Sequence, residues 1–313
     1  MCKPKAAVIA SWIALVLTAL LGTVPATGAT VYGFEGDTPG DLPTYPLEAP
    51  DGWYVPNVPT TKASSIVPYT TVAGFGVATD PTGGDNALAL GSAPSGTSAK
   101  AQTNVNFSAA PIWTISFDLC IVNLTSDGNT YDTDWIGSLA PQSISGNFSD
   151  FFLLNGWDNP TAASTWSAYY SAHDASGNLL DPNGVSPGAA WTGLSQNHWY
   201  IESTTFDGVT DRILSVSITD MNTNSTTAYS PSGWYMLGGS TPLSGLDSLR
   251  LRGYGSTNGM LVDNVTLSSS SGVPEPASFA LLGTGLAALA VAARRRRNLP
   301  LYQDTLVHAP PPA

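Results

Sequence analysis

Paired carboxylates, clustered bases and loop-borne acids are the side chains in this chain whose types and spacing could do chemistry. Hydrolysis of a glycosidic bond needs two carboxylates about 5 Å apart or somewhat farther, one acting as acid and one as base or nucleophile. Between residues 30 and 272 the glutamates are Glu35, Glu48 and Glu202, and no Glu-x-Asp-x-x-Glu array places such a pair along one strand. Glu202 and Asp207 would converge only through an unexpected turn, so Glu202 reads as a solvent-facing strand residue. Elimination chemistry on an acidic sugar asks for Arg, His, Lys and Tyr together. The bases available are Lys62, Lys100, Arg212, Arg250 and Arg252, with His173 and His198, and both histidines read as structural. There is no Gly-x-Ser-x-Gly elbow, no His-x-x-x-His pair and no cysteine metal cluster. No catalytic constellation is expected.

Two non-catalytic leads remain. Asp127, Asn129, Asp132 and Asp134 gather hard oxygen ligands in one stretch, as a calcium site would. The spacing is not that of an EF-hand, and an Asp/Asn turn capping its own backbone explains the same residues. Asp181-Asn183 and Asp207-Asp211 are lesser versions of the pattern. The second lead is tryptophan. Trp113 and Trp199 sit in apolar strand patterns and are expected in the core. Trp135, Trp157, Trp191 and Trp234 stand among Gly, Asn, Asp, Ser and Pro, so they are expected on loops. An exposed indole beside Asp or Asn offers a sugar ring a stacking face and hydrogen bonds. The same residues could instead cover the ends of the fold.

These groups need a scaffold, and the hydrophobic pattern supplies one. Ile115, Phe117, Leu119 and Ile121 alternate with Ser116, Asp118 and Cys120, the period of a strand with one buried face. Comparable runs occupy Phe151 to Leu154, Trp166 to Ala172, Trp199 to Phe206, Arg212 to Thr219, Ser248 to Leu251 and Met260 to Leu267. Gly, Pro, Asn and Asp punctuate them, and no helical stripe survives outside the two apolar ends. The fold class is all-β: one antiparallel two-sheet β-sandwich of jelly-roll type spanning 30–267. Cys120, alone in this region, reads as a packed residue, so the fold rests on its core rather than on a disulfide.

Charge narrows the partners. All but two of the 23 acidic residues, Glu275 and Asp304, fall within 30–272, so 21 acids face five bases and the net charge there is −16. No nucleic-acid partner is expected, because phosphate binding needs clustered Lys and Arg. An acidic surface also repels anionic polymers unless calcium bridges them.

The ends carry addresses. Lys3 and Lys5, the apolar run Val8 to Leu21 and Thr27-Gly28-Ala29 form a signal peptide over 1–29, cut by signal peptidase. A Ser-rich linker covers 268–272. Val273-Pro274-Glu275-Pro276 follows, then 17 uncharged residues from Ala277 to Ala293, then Arg294, Arg295, Arg296 and Arg297. Such a helix spans roughly 25 Å, enough for a thin bilayer, and the arginines hold its end in the cytoplasm. Residues 298–313 read as a disordered cytoplasmic tail.

The arrangement over 273–297 resembles the PEP-CTERM sorting signal of exosortase-bearing bacteria. That resemblance implies transient inner-membrane anchoring through the 277–293 helix, cleavage by an exosortase near Pro274-Glu275-Pro276, and transfer to the cell envelope or extracellular space. Such signals normally end after the basic cluster, whereas this chain continues.

The strand patterns resemble concanavalin A-like, LamG-type jelly rolls in three pieces. These are Tyr32-Gly33-Phe34-Glu35-Gly36-Asp37 through Pro43; His198-Trp199-Tyr200-Ile201 through Val216; and Leu246 to Leu251 with Leu261-Val262-Asp263-Asn264-Val265-Thr266-Leu267. That fold hosts lectins, hydrolases, lyases and plain adhesive modules. The first expectation is a non-catalytic glycan-binding or adhesive module, with extracellular polysaccharide as partner and calcium as candidate cofactor. A structural matrix protein without a small ligand is the alternative, and a carbohydrate-active enzyme comes third.

Overall fold

Alternation becomes structure wherever one face of a strand must leave water. The computed structural model describes residues 29–57, 61–72, 83–90, 98–122, 132–142, 148–156, 165–180, 191–241, 243, 245–253 and 260–270. Seventeen strands follow in chain order: β1 Thr30–Tyr32, β2 Gly40–Asp41, β3 Trp53–Tyr54, β4 Thr61–Ala63, β5 Ser65–Pro68 and β6 Asn86–Leu90 come first. β7 Ser98–Asn104, β8 Ile112–Ile121, β9 Asp132–Ala140, β10 Ser149–Gly156, β11 Thr165–Tyr169 and β12 Leu194–Ser195 come next. β13 Trp199–Asp207, β14 Arg212–Asp220, β15 Ser225–Tyr229, β16 Ser248–Gly253 and β17 Met260–Ser270 complete the set. One helical turn, α1 Tyr69–Val72, lies between β5 and β6.

The strands form two sheets. A nine-stranded sheet runs β15-β14-β13-β8-β17-β6-β5-β2, with β1 also paired to β17; an eight-stranded sheet runs β12-β11-β10-β9-β16-β7-β3, with β4 paired to β7. Every pairing among these strands is antiparallel except β4 with β7. The fold is an all-β, antiparallel, two-sheet jelly-roll sandwich. Each predicted run lies in a strand except Trp166 to Ala172, which outlasts β11, and β8 carries the expected inward set.

One core lies between the sheets. Ile115, Phe117 and Leu119 of β8 and Val262 and Val265 of β17 face Trp53, Ala101, Phe152, Leu249 and Leu251 of the other sheet. Phe117 meets Phe152 edge-on at 6.1 Å between ring centroids, and Trp166 meets Tyr200 at 5.4 Å. Burying each such side chain contributes about 1.5–3 kcal/mol. Trp113 and Trp199 are buried, as their strand patterns predict.

Both faces of β8 are buried toward its C-terminal end, where one was expected. Tyr69 of α1 packs with Cys120, Trp199, Ala87 and Leu261 on the outer face of the nine-stranded sheet. Cys120 is a free, buried thiol in that cluster. Asp118 is buried there too; its carboxylate accepts from Asn264 Nδ2 at 2.9 Å, and Tyr69 donates to Asp263 at 2.6 Å.

Hairpin turns follow Asp chemistry. Asp207 Oδ1 accepts the N–H groups of Val209 (2.8 Å) and Thr210 (3.2 Å), and Asp211 then takes a positive φ of 54°. Asp220 Oδ1 accepts from Asn222 (2.9 Å) and Thr223 (3.0 Å), and Asn224 follows with φ 53°. Short Asx residues are the side chains that tolerate this region and cap their own turn. Asp207 is therefore a turn cap.

The chain divides into two units, Met1–Ser271 and Gly272–Ala313. Residues 1–28 and 271–313, with the expected signal peptide, 277–293 helix, arginine cluster and tail, lie outside the described residues. Among the described residues no helix is long and apolar enough to cross a membrane.

Candidate functional site

The residues expected to bind divide three ways. Trp191 and Trp234 do stand outside the strands, but they are 0% and 7% exposed and present no stacking face. Both pack around Tyr170, at 5.4 and 6.3 Å between centroids, closing one end of the core. Trp135 lies in β9, a strand rather than a loop, and its side chain is outside the described residues, as is all of Trp157. Asp127 and Asn129 fall outside them as well. Asp132 and Asp134 begin β9 and pair with Gly156 and Leu154 of β10, so the expected single ligand loop gives way to ladder geometry there. Among the described residues no three His, Cys, Asp or Glu side chains group as metal ligands.

Glu202 overturns its expectation. β13 turns Tyr200, Glu202, Thr204 and Phe206 inward, which leaves Glu202 1% exposed. Tyr170 Oη and Thr204 Oγ1 both donate to Glu202 Oε1, the latter at 2.6 Å. Burial pushes its pKa up to about 8, with the two hydroxyls pulling it partly back. The group is a neutral acid at pH 7. Among the described residues its hydrogen-bond partners are these two hydroxyls and not a second carboxylate.

A different constellation emerges on the face of the eight-stranded sheet that turns away from the core. Alternation along β16 sends Leu249 and Leu251 inward and Ser248, Arg250 and Arg252 outward. Register pairs Ser248, Arg250 and Arg252 with Asn104, Gln102 and Lys100 of β7, and Tyr54 of β3 stands opposite Gln102. Three of the five basic residues of the acidic domain therefore meet on one face.

Hydrogen bonds bind the group together. Arg250 Nε donates to Gln102 Oε1 at 2.7 Å. Gln102 Nε2 donates to Ser248 Oγ (2.7 Å) and Tyr54 Oη (3.1 Å), and Tyr54 Oη donates to Asn104 Oδ1 (2.7 Å). Arg252 Nη2 pairs with Asp150 of β10 at 2.7 Å, and its guanidinium lies 4.8 Å from the Phe148 ring centroid. Asn104 is exposed, Arg252 and Phe148 are half-buried, and the rest are buried.

Electrostatics is unusual here. Burial, then the neighbouring Arg250 and Arg252, lowers Lys100 to about 8; burial, then Arg252, lowers Arg250 to about 10. Asp150 is raised to about 7 because burial outweighs the pull of both arginines. Guanidinium forks, an ammonium, an amide and a phenol on one rigid sheet can hold carboxylate and hydroxyl groups in fixed directions. The sequence signal was present in two alternating runs, Lys100-Ala101-Gln102-Thr103-Asn104 and Ser248-Leu249-Arg250-Leu251-Arg252. Their pairing across about 150 residues was not.

His198 holds the β13–β14 hairpin instead of joining a site. Its Nε2 lies 2.9 Å from Asp220 Oδ1, and its ring stacks on Tyr200 at 4.9 Å.

Residues 272–297 match the PEP-CTERM protein-sorting motif. The motif marks export and sorting to the cell envelope or extracellular space, with processing by an exosortase. No curated protein sequence matches the chain. Among solved structures, the carbohydrate esterase vb_24B_21 of Shiga toxin-encoding bacteriophage phi24B is similar at 15% identity and TM-score 0.43, over 77% of this chain and 100% of that one. Winged bean acidic lectin is similar at 9% identity and TM-score 0.40, over 78% and 98%. Alginate lyase Aly36B is similar at 9% identity and TM-score 0.39, over 79% and 98%. None of these likenesses bears on what this chain binds.

Proposed function

We infer that this exported protein is a non-catalytic glycan-binding module whose binding face is the rim of the basic cluster on the eight-stranded sheet, where Asn104, Arg252 and the edge of Lys100 meet solvent and Arg250 lies buried behind them. Its ligand is a carboxylate-bearing extracellular polysaccharide. The observation that carries this reading is the cross-strand pairing of Lys100 with Arg252 beside Arg250. Like charges placed opposite each other on neighbouring strands, and partly buried, destabilise a sheet. Three of the five bases, against 21 acids, gather here with one carboxylate, Asp150, among them, which favours an anionic partner at the rim. Net charge repels an acidic polymer at a distance, while this local cluster attracts it at contact. The anchor is transient: the exosortase cuts near Pro274-Glu275-Pro276, and the mature module leaves the 277–293 helix behind.

A second reading has one observation in its favour. Lys100, near pKa 8 and beside Tyr54 and two arginines, is a set that could remove a proton next to a sugar carboxylate. Incubating the full chain with polygalacturonate and with alginate distinguishes the two. Retention of polymer without any ultraviolet-absorbing unsaturated product supports the binding module; appearance of that product supports a lyase. Binding of neither polymer, at low or physiological salt, favours the matrix protein. Mass spectrometry of the protein recovered from cells tests the anchor: a chain ending near Pro276 is expected, and one intact through Arg297 contradicts it.

A further inference from the structure

The stretch of chain just before β3 folds back alongside it and extends the face that carries the basic rim. Thr44 bridges to Val55, Tyr45 N–H bonds Val55 O at 3.0 Å, and Val55 N–H bonds Pro43 O at 2.7 Å. Leu47 N–H then closes a turn on Thr44 O at 3.0 Å. Alternation along β3 sends Trp53 into the core and Tyr54 to the outer face, where the Tyr45 ring lies 5.2 Å from it between centroids. Tyr54 is 0% exposed and offers a ligand no face, whereas Tyr45 is half-buried. Arg250, Gln102, Tyr54 and Tyr45 thus form one row across the sheet.

The same stretch brings a carboxylate to the rim. Glu48 is exposed, and Asn104 Nδ2 donates to its Oε1 at 3.2 Å while Tyr54 Oη donates to Asn104 Oδ1 at 2.7 Å. Among the described residues no base lies within ion-pair distance of Glu48. The rim therefore has two unlike ends. Lys100 faces Arg252 at one, and Asn104 holds Glu48 at the other. The two β7 residues are four apart along the strand, about 13 Å.

We propose that Tyr45, Asn104 and Glu48 form a neutral-sugar subsite, so that the polysaccharide held at the rim carries uronates spaced along a chain of neutral sugars. This rests on the reading of the basic rim as a glycan site and names the class of glycan. The Tyr45 ring, steadied by Tyr54 beneath it, offers the apolar face of a sugar a stacking partner. Asn104 can donate to or accept from a sugar hydroxyl, and the Glu48 carboxylate accepts only. A hydroxyl donates to Glu48 readily; a second carboxylate placed there is repelled. One sugar ring cannot reach both ends of the rim, so the ligand lies across the strands as an oligosaccharide. A chain built of uronates alone sets a negative charge against Glu48, and a mixed chain does not.

The test is titration calorimetry of the full chain in detergent with two probes, polygalacturonate, which is uronate throughout, and glucuronoxylan, whose uronates stand on neutral xylose. E48Q, a change at an exposed side chain, should raise affinity for polygalacturonate about threefold without raising it for glucuronoxylan. That gain should shrink as salt increases, because the repulsion is screened. Y45A should lower affinity for glucuronoxylan about tenfold, by the same factor at low and at physiological salt, and Y45F should recover most of the loss. If Y45A does not fold, the two-polymer comparison of E48Q decides alone. A parent chain that binds while E48Q shifts both polymers equally or neither, or while Y45A binds as tightly as the parent, overturns the subsite and leaves the basic rim standing. A parent chain that binds neither polymer overturns the rim reading, and the subsite with it.

Discussion

Glu202 shows how much a single buried acid governs. Its pKa is raised to about 8 by burial, whereas the unfolded carboxyl ionises near 4.5. Between those values the native state holds a proton that the unfolded state has released, so stability is full below about pH 4.5 and falls as pH rises through 8. E202Q keeps an acceptor for Tyr170 and Thr204 but cannot ionise. Its unfolding midpoint should match the parent chain at pH 5 and exceed it at pH 8; a lower midpoint at both would contradict the neutral-acid assignment. Arg252 makes the complementary case. R252A leaves Asp150 buried without its ion pair, a loss of about 3 kcal/mol when the carboxyl is charged. Because Asp150 takes a proton near pH 7, the loss should shrink at pH 5 and be largest at pH 8 in denaturant titrations. A pH-independent loss would show that packing against Phe148 matters more than the charge pair.

Strands were the most legible level of the sequence. Alternation predicted β8, β13, β14, β16 and β17, because each has one face in the core and side chains of opposite polarity cannot trade faces. The short strands β2, β3, β4 and β12 were not legible, since two or three residues carry no period. Glu202 was misread for a related reason: polarity suggested solvent, but the strand period placed it inward with Tyr200 and Phe206. Trp191 and Trp234 took the second of their two expected roles, covering one end of the core, and their polar neighbours alone did not decide between that role and a stacking face. At this scale β9 and β10 offer a direct check. Gly137 has no Cβ, and one added there would lie 2.3–2.9 Å from the fully buried Phe151 ring. G137A should therefore lower stability by about 1–3 kcal/mol through overpacking. Pairing it with F151L should recover part of the loss; no recovery would place the strain elsewhere.

The whole molecule combines an acidic surface, an address and one basic face. Glu202, Asp150 and Asp211 are raised to about 8, 7 and 6, each chiefly by burial, so their contributions are all lost as pH climbs from about 4 to 8. Lys100 acts oppositely at higher pH: native Lys100 releases its proton near 8, the unfolded side chain near 10.5, and stability recovers between them. Scanning calorimetry should show the highest midpoint on the acidic side and a shallow minimum near pH 8. The sorting motif was fully legible because it is linear, whereas the basic face was invisible because it exists only once β7 and β16 pair. K100Q tests that face most directly, since it removes a cation lying opposite Arg252 and so leaves stability equal or higher. Its affinity for polygalacturonate should fall about tenfold, the worth of one charge-assisted contact, and the salt dependence of binding should weaken. Unchanged affinity in a stably folded K100Q chain would contradict the assignment of this sheet face as the glycan site.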